Sequence, residues 1–431
     1  MRQRLGCDLN TRRIGSTKFV CESGYSAQII QLRLRGASST LSWALLDWRL
    51  IARIVLVLAI SPFAYYLLVL YSVWRFFAAS RHATPLHFTP PVSNLQPIRG
   101  LDPDAYENFA SLCRQDYPDY ELLFCVNTRE DPAVPVIEKI ARDFPHRTIR
   151  LLVGFGERDA PGTNDKVMKL VRLVREARNE VVVINDSDVR VMPNYLRTVV
   201  APLADRRVGA VTCLYTSTGE KTFADGLQTI GMMSDFFAGL LIAKEIEGVK
   251  FALGTTIATT RTLLAEAGGY ERLENGPADD LLIGRHIAET GHRVELLPYA
   301  IETVADYGSF RELFHKRLRW IVVMRHMRPW GHLGLIFTHG IAWCALAIAV
   351  RPTIAVALGW IGSYAILRTA ITWGIGIHGL KRKRLWSRMP LIPLWDVMAF
   401  VIWLISFTRS SIRWRGGEYY LRDGRLTPVA D

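Results

Sequence analysis

Apolar residues fall into runs of three kinds along this chain. The first, IVLVLAISPFAYYLLVLYSVW over residues 54–74, carries no charge and at 21 residues is long enough to span a bilayer, with Tyr and Trp where an interfacial belt would sit. Runs of the second kind are short and rich in β-formers: PPVSNLQPI, YELLFCVN, TIRLLVG, EVVVIND and VGAVTCLY, several followed by a helical pattern such as NDKVMKLVRLVREA. Such strand-then-helix units between residues 90 and 305 predict an α/β domain, a mostly parallel sheet with helices on both faces. The third kind begins after Trp320. Residues 333–350, 353–377 and 391–407 are apolar again around an Arg351-Pro352 break; Arg368 interrupts the second segment, and the last is barely long enough to span and contains Asp396.

This pattern divides the chain into five parts. Residues 1–48 are basic and aperiodic and read as disordered or as an over-extended gene start; 49–80 hold the first transmembrane helix, 84–331 the α/β domain, 332–408 the C-terminal membrane segments and 409–431 a basic tail. No apolar core precedes a small-residue cleavage site within the first thirty residues, so no signal peptide is expected. Arg75 and Arg81 follow the first span at once, which predicts an integral membrane protein whose domain faces the cytoplasm. Three full spans after that domain would export the tail RSSIRWRGGEYYLRDGR against the positive-inside rule. Either one segment is re-entrant or interfacial, or the tail tolerates export.

A formal net charge of +13 raises the question of nucleic acid. The excess instead clusters beside apolar segments (Arg75 and Arg81; Lys316 to Arg328; 381–384; 409–415), a placement suited to anionic lipid headgroups, so no nucleic-acid partner is expected. Six cysteines, at 7, 21, 113, 125, 213 and 344, show neither metal-ligand spacing nor pairing and read as reduced core or membrane residues.

The chemistry lies in an acidic series. In α/β sheets ligands bind beyond the carboxyl ends of the strands, and carboxylates buried there are costly unless they hold a metal or a proton. Glu130-Asp131 follows the strand ending near Asn127, and Asp186-Ser187-Asp188 closes EVVVIND. Asp186 and Asp188 on one tight turn suit a shared divalent cation, Mg²⁺ or Mn²⁺, that grips a diphosphate, although Asp-x-Asp also occurs in ordinary solvated turns. Asp279-Asp280 opens an amphipathic helix, where one acid can serve as a cap; Asp280 is the candidate general base for a lipid hydroxyl. Asn164-Asp165-Lys166 opens another helix, with Lys166 a candidate phosphate ligand and Asn164 an ordinary cap. Lys316, Arg317, Arg319 and Trp320 lie on a helix entering the membrane, either as a juxtamembrane anchor or as a cationic clamp on a departing nucleoside diphosphate with an aromatic wall. The apolar stretch 232–241 reads as core or as a lipid entry face.

With these motifs in hand, the chain resembles the ceramide glucosyltransferase family of inverting glycosyltransferases and its bacterial relatives implicated in hopanoid glycosylation. PPVSNLQPIRGLDP, CRQDYPDYELLFCVN, EDPAVPVI, NDKVMKL, NDSDVRV, GGY, ADD, RLRW and WRGGEYYLRDG look like family landmarks in family order. The resemblance implies a GT-A type nucleotide-sugar domain at a bacterial cytoplasmic membrane. It implies that Asp131 contacts the nucleotide, Asp186 acts at the metal and diphosphate, and Asp280 is the base; Arg319 and Trp320 match the end of the family's cationic box. Lys316 stands where the box has Gln or Arg, and Gln96 where a lysine is expected. The implied reaction transfers a hexose, from UDP-glucose, to a lipid hydroxyl such as ceramide. Rival readings are a hopanoid polyol acceptor with UDP-N-acetylglucosamine, a processive polysaccharide synthase and a non-catalytic nucleotide-binding membrane protein.

Overall fold

The computed structural model describes residues 48–79, 87–155, 164–304, 307–414, 417–422 and 425–428. Most of the N-terminal extension, Cys7, Cys21 and Arg81 thus lie outside the described residues. Eight strands form one sheet: β1 Val92–Pro97, β2 Tyr120–Val126, β3 Thr148–Val153, β4 Val181–Ile184, β5 Val189–Arg190, β6 Val208–Thr218, β7 Ile257–Thr260 and β8 Arg293–Val304. Their order is β3-β2-β1-β4-β7-β6-β8-β5. The neighbours β3, β2, β1 and β4 run parallel, as do β6 and β8. β7 runs antiparallel to both β4 and β6, and β5 to β8. All five runs expected to be strands are strands, and the mostly parallel α/β sheet is present.

Alternation along the strands sets the two faces. In β2, Leu122 and Phe124 pack with Phe109 and Leu112 of the helix Ala105–Cys113, while Leu123 and Cys125 pack with Val167 and Leu170 of the helix Asp165–Glu176. The chain leaves β1 in one direction to β2 and β3, then returns to lay β4 on the other side of β1. In sheets of this kind the ligand site lies where the order reverses, here beyond the carboxyl ends of β1 and β4.

Among the described residues four helices are long and apolar enough to cross a membrane: Trp48–Ala78, Phe223–Glu247, Ile354–Gly379 and Lys383–Ser406. The segment expected at 333–350 is a pair, Pro329–Thr338 and Gly340–Val350, bent by 53°. Phe223–Glu247 is largely covered by protein, as a core reading of 232–241 requires. Its Met233 and Phe237 share one core with Val73, Ile371, Trp395 and Ile402 of other apolar helices and with Leu214 and Leu296 of the sheet. The charges that interrupt the last two segments meet: Arg368 Nε lies 2.8 Å from Asp396 Oδ2, which also accepts a 2.7 Å hydrogen bond from Tyr364. Cys113, Cys125, Cys213 and Cys344 are buried free thiols.

The last apolar segment is tied to the α/β domain at both ends. Near its start, Lys383–Ser406 is fastened to the α/β domain by Arg388–Glu220 at 3.5 Å, and just ahead of it by Arg382–Glu302 at 2.8 Å. Beyond its end, β9 Ser411–Trp414, β10 Gly417–Arg422 and β11 Arg425–Pro428 form an antiparallel sheet whose Ile412, Leu421 and Leu426 join the same core. The Leu426 N–H donates to the Asn275 carbonyl at 2.8 Å. Both ends of this last helix are thus fastened to protein, and the described part of the basic tail packs with the same core as the α/β domain.

Candidate active site

The site is assembled by a helix cap. Asn164 caps Asp165–Glu176 by accepting from the Lys166 N–H at 3.2 Å, while its own amide donates to the Gly276 carbonyl at 2.9 Å and its backbone N–H to the Glu274 carbonyl at 2.8 Å. These bonds draw the loop before Asp279-Asp280 over the start of the helix that carries Lys166. As a result Lys166 Nζ stands 2.8 Å from Asp186 Oδ1 and 3.0 Å from Asp279 Oδ2. Burial opposes its charge, but Asp186, Asp279 and Asp280 together outweigh burial and hold its pKa well above the usual lysine value.

Asp279 was the natural choice for a cap, yet it is buried against Lys166. It is Asp280 that accepts from a backbone N–H of its own helix, Leu281 at 2.8 Å, and from the Gly254 N–H at 2.9 Å. Burial first, and then the Asp279 charge, push Asp280 up to about 6, with Lys166 opposing. A carboxylate so placed is a competent base near neutral pH. Asp188 is pushed up to about 7 by burial, then by Asp186 and Asp102, with Lys316 opposing.

That repulsion between Asp186 and Asp188 is what a divalent cation relieves. No three His, Cys, Asp or Glu side chains among the described residues form a complete cage. The donor set therefore fits an ion that takes one or two carboxylates from the protein and its remaining oxygens from a diphosphate and water.

Gly254 was not legible as a site residue. A Cβ there would lie 3.1 Å from Asp186 Oδ2, 3.2 Å from Asp280 Oδ2 and 3.3 Å from Lys166 Nζ, so any other residue would push each of these groups outward by a few tenths of an ångström. Gly254→Ala should reduce turnover about tenfold or more by spreading them, while costing only about 1–3 kcal/mol of stability. Parallel turnover and thermal-unfolding measurements check this.

The remaining candidates are arranged around that centre. Asp131 stands apart from the Lys166 cluster: it accepts from the Gly100 and Ala133 N–H groups at 3.0 and 2.9 Å, fastening the loops after β1 and β2. Lys316 is exposed, with Nζ 4.6 Å from the centre of the Tyr307 ring. One turn on, Trp320 packs against Phe236 at 6.2 Å, and Arg319 is half-buried between them in sequence. Arg317, named with them as an anchor or clamp, is instead a buried cation of the helix Phe310–Met327: it lies between Trp320 and Trp395 at 4.8 and 4.7 Å and donates to Gln228 at 2.9 Å. Gln96 is buried in an amide network, donating to Asn94 at 2.7 Å.

Comparison with known proteins supplies the family. Ceramide glucosyltransferase 1 of Caenorhabditis elegans is 24% identical over 309 residues, covering 72% of this chain and 62% of that protein. A ceramide glucosyltransferase of Gibberella zeae is 32% identical over 133 residues, 29% of this chain and 25% of its own. Among solved structures, the mannosyltransferase PcManGT from Pyrobaculum calidifontis, in complex with GDP-Man and Mn²⁺, is 21% identical and aligns over 82% of this chain and 98% of its own, with a TM-score of 0.49. The chain spans less than two thirds of the first nematode relative's length. Residues 54–427 match glycosyl transferase family 21, and the chain belongs to that family.

Proposed function

We propose that this protein is a membrane-bound inverting hexosyltransferase that moves glucose from UDP-glucose to the hydroxyl of ceramide. The observation that carries the reading is the convergence of Asp186, Lys166 and Asp280 on Gly254 at the carboxyl edge of the sheet. Phosphate-binding charge and a base of raised pKa thereby share one crevice, and the aromatic pair Phe236–Trp320 connects it to the apolar helices. The relatives' names, ceramide glucosyltransferase, support glucose as the sugar and ceramide as the acceptor; UDP as its carrier is part of the proposal.

In the reaction, the carboxylate of Asp280 accepts the proton of the lipid hydroxyl as its oxygen bonds to the anomeric carbon. The bond from that carbon to the diphosphate oxygen breaks, and the electron pair leaves with the nucleoside diphosphate. Attack opposite the departing group converts an α-linked donor into a β-glycolipid. Asp186 and Asp188 would hold a divalent cation, which when bound neutralises charge on the diphosphate. Lys166, Lys316 and Arg319 supply further positive charge toward the leaving group, Asp131 serves the nucleotide end, and Trp320 walls the acceptor side. The domain faces the cytoplasm, consistent with Arg75 and the basic tail lying beside it.

The test is acceptor-dependent release of nucleoside diphosphate by detergent-solubilised protein. Release with UDP-glucose and ceramide, abolished by a chelator and restored by Mg²⁺ or Mn²⁺, is expected. Nucleotide binding without release for any lipid would overturn the proposal.

A further inference from the structure

Asp235 is an acidic side chain on an apolar helix, and nothing in the reaction described above uses it. It lies on the π-helical turn Met232–Phe236 inside the candidate span Phe223–Glu247. Among the described residues its carboxylate is exposed from protein cover and has neither a hydrogen bond nor a salt bridge. Ionisable groups on membrane-grade helices are costly, and their retention marks ligands, relays or pathways. π-turns likewise gather at functional positions, because the extra residue frees backbone groups from the helical ladder.

The obvious partner is already taken. Arg368 directs Nε and Nη2 to Asp396 and Nη1 to the Ser234 carbonyl, which the π-turn makes available. Asp235 is left within electrostatic reach of Arg368, Tyr65, Tyr66 and His339 but bonded to none of them. Two further polar atoms here lack partners: Ser234 Oγ, on a residue with no exposed surface, and His339 Nε2 at the bend of the broken helix pair. Three polar groups without partners among apolar helices suit a ligand that is polar at one point and apolar elsewhere.

The cluster is continuous with the reaction centre. Phe236, the next residue, packs on Trp320 at 6.2 Å and on Tyr215 at 6.3 Å. Tyr215 in turn feels the charges of Asp280 and Asp188. An amphiphile whose reacting hydroxyl reaches Asp280 would therefore pass its next polar groups along this aromatic wall toward Asp235.

We infer that Asp235 is an acceptor-binding residue, whose carboxylate accepts a hydrogen bond from a second donor group of the lipid, an amide N–H or hydroxyl near the reacting hydroxyl. This rests on the lipid-glycosylation reading and narrows it: the preferred acceptor carries such a donor, as ceramide does and diacylglycerol does not.

Transfer from UDP-glucose to ceramide separates the two readings. The Asp235→Leu variant should raise the KM for ceramide about tenfold or more, as the loss of a hydrogen bond to a charged group does, with donor KM unchanged. Asp235→Asn, which keeps one carbonyl acceptor and the side chain's size, should fall between and remains informative if the leucine variant does not fold. An unchanged ceramide KM in an active variant, or a loss confined to kcat and donor KM, would overturn the inference and leave the function standing. A wild-type protein that glycosylates no lipid would overturn both, and needs no variant to show it.

Discussion

Asp280→Asn should lower lipid glycosylation by about a hundred- to ten-thousandfold, the range over which a positioned base contributes, while donor binding persists. The substitution is close to isosteric, and the amide oxygen can still accept from Gly254 or Leu281, so the fold is expected to survive. What disappears is the ability to take a proton. The pH profile offers an independent check. Burial and Asp279 push the Asp280 carboxyl up to about 6, and only its deprotonated form is a base, so wild-type turnover should fall about tenfold per pH unit below that point. At divalent-cation concentrations that keep Asp188 ionised, the residual rate of the Asn variant should lose that acid limb. An unchanged turnover, or an acid limb that persists in the variant, would remove Asp280 from the role.

Asp396→Ala should produce the largest loss of stability, about 3–5 kcal/mol. Arg368 and Asp396 are both buried, and they join the helix Ile354–Thr372 to the helix Ile392–Ser406, with Tyr364 completing the carboxylate's bonds. Removing the acid leaves a buried guanidinium whose remaining hydrogen-bond acceptor among the described residues is the Ser234 carbonyl, beside the Tyr66 ring. Replacing both members, Arg368→Met with Asp396→Leu, removes the unpaired charge and should recover much of the loss. Thermal unfolding in detergent of the single and double variants measures both values; equal destabilisation by the two would show that packing, not charge, dominates here.

The sheet and the apolar segments were legible from run length and composition: short runs rich in β-formers such as YELLFCV for the strands, an unbroken 21-residue apolar run in residues 54–74 for the first span. β7 and β8 were not read, since IATT is short and RVELLPYAIETV carries charges and a proline that mask alternation in a 12-residue strand. The acidic series was visible because carboxylates beside apolar runs are conspicuous. Its pairing was not. Asp279 and Lys166 are more than a hundred positions apart, and their contact depends on Asn164 gripping carbonyls in a loop whose sequence, ENGP, announces only a turn. Gly254 carries no side-chain signal at all, and its importance exists only as space between three other groups. The charges in the last two apolar segments read as defects when each was taken alone, and neither segment could disclose the other as its partner.

The loop that presents Asp279 and Asp280 is gripped at three consecutive carbonyls: Glu274 and Gly276 by Asn164, and Asn275 by Leu426. The last of these grips comes from a strand that the ribosome makes some 150 residues later than the loop it holds. One of the three restraints on this loop is thus a contact between segments far apart in sequence, which local sequence cannot supply. Leu426→Pro, which removes the donor of that grip, is therefore expected to loosen the loop carrying Asp279 and Asp280 from a position far outside it in sequence.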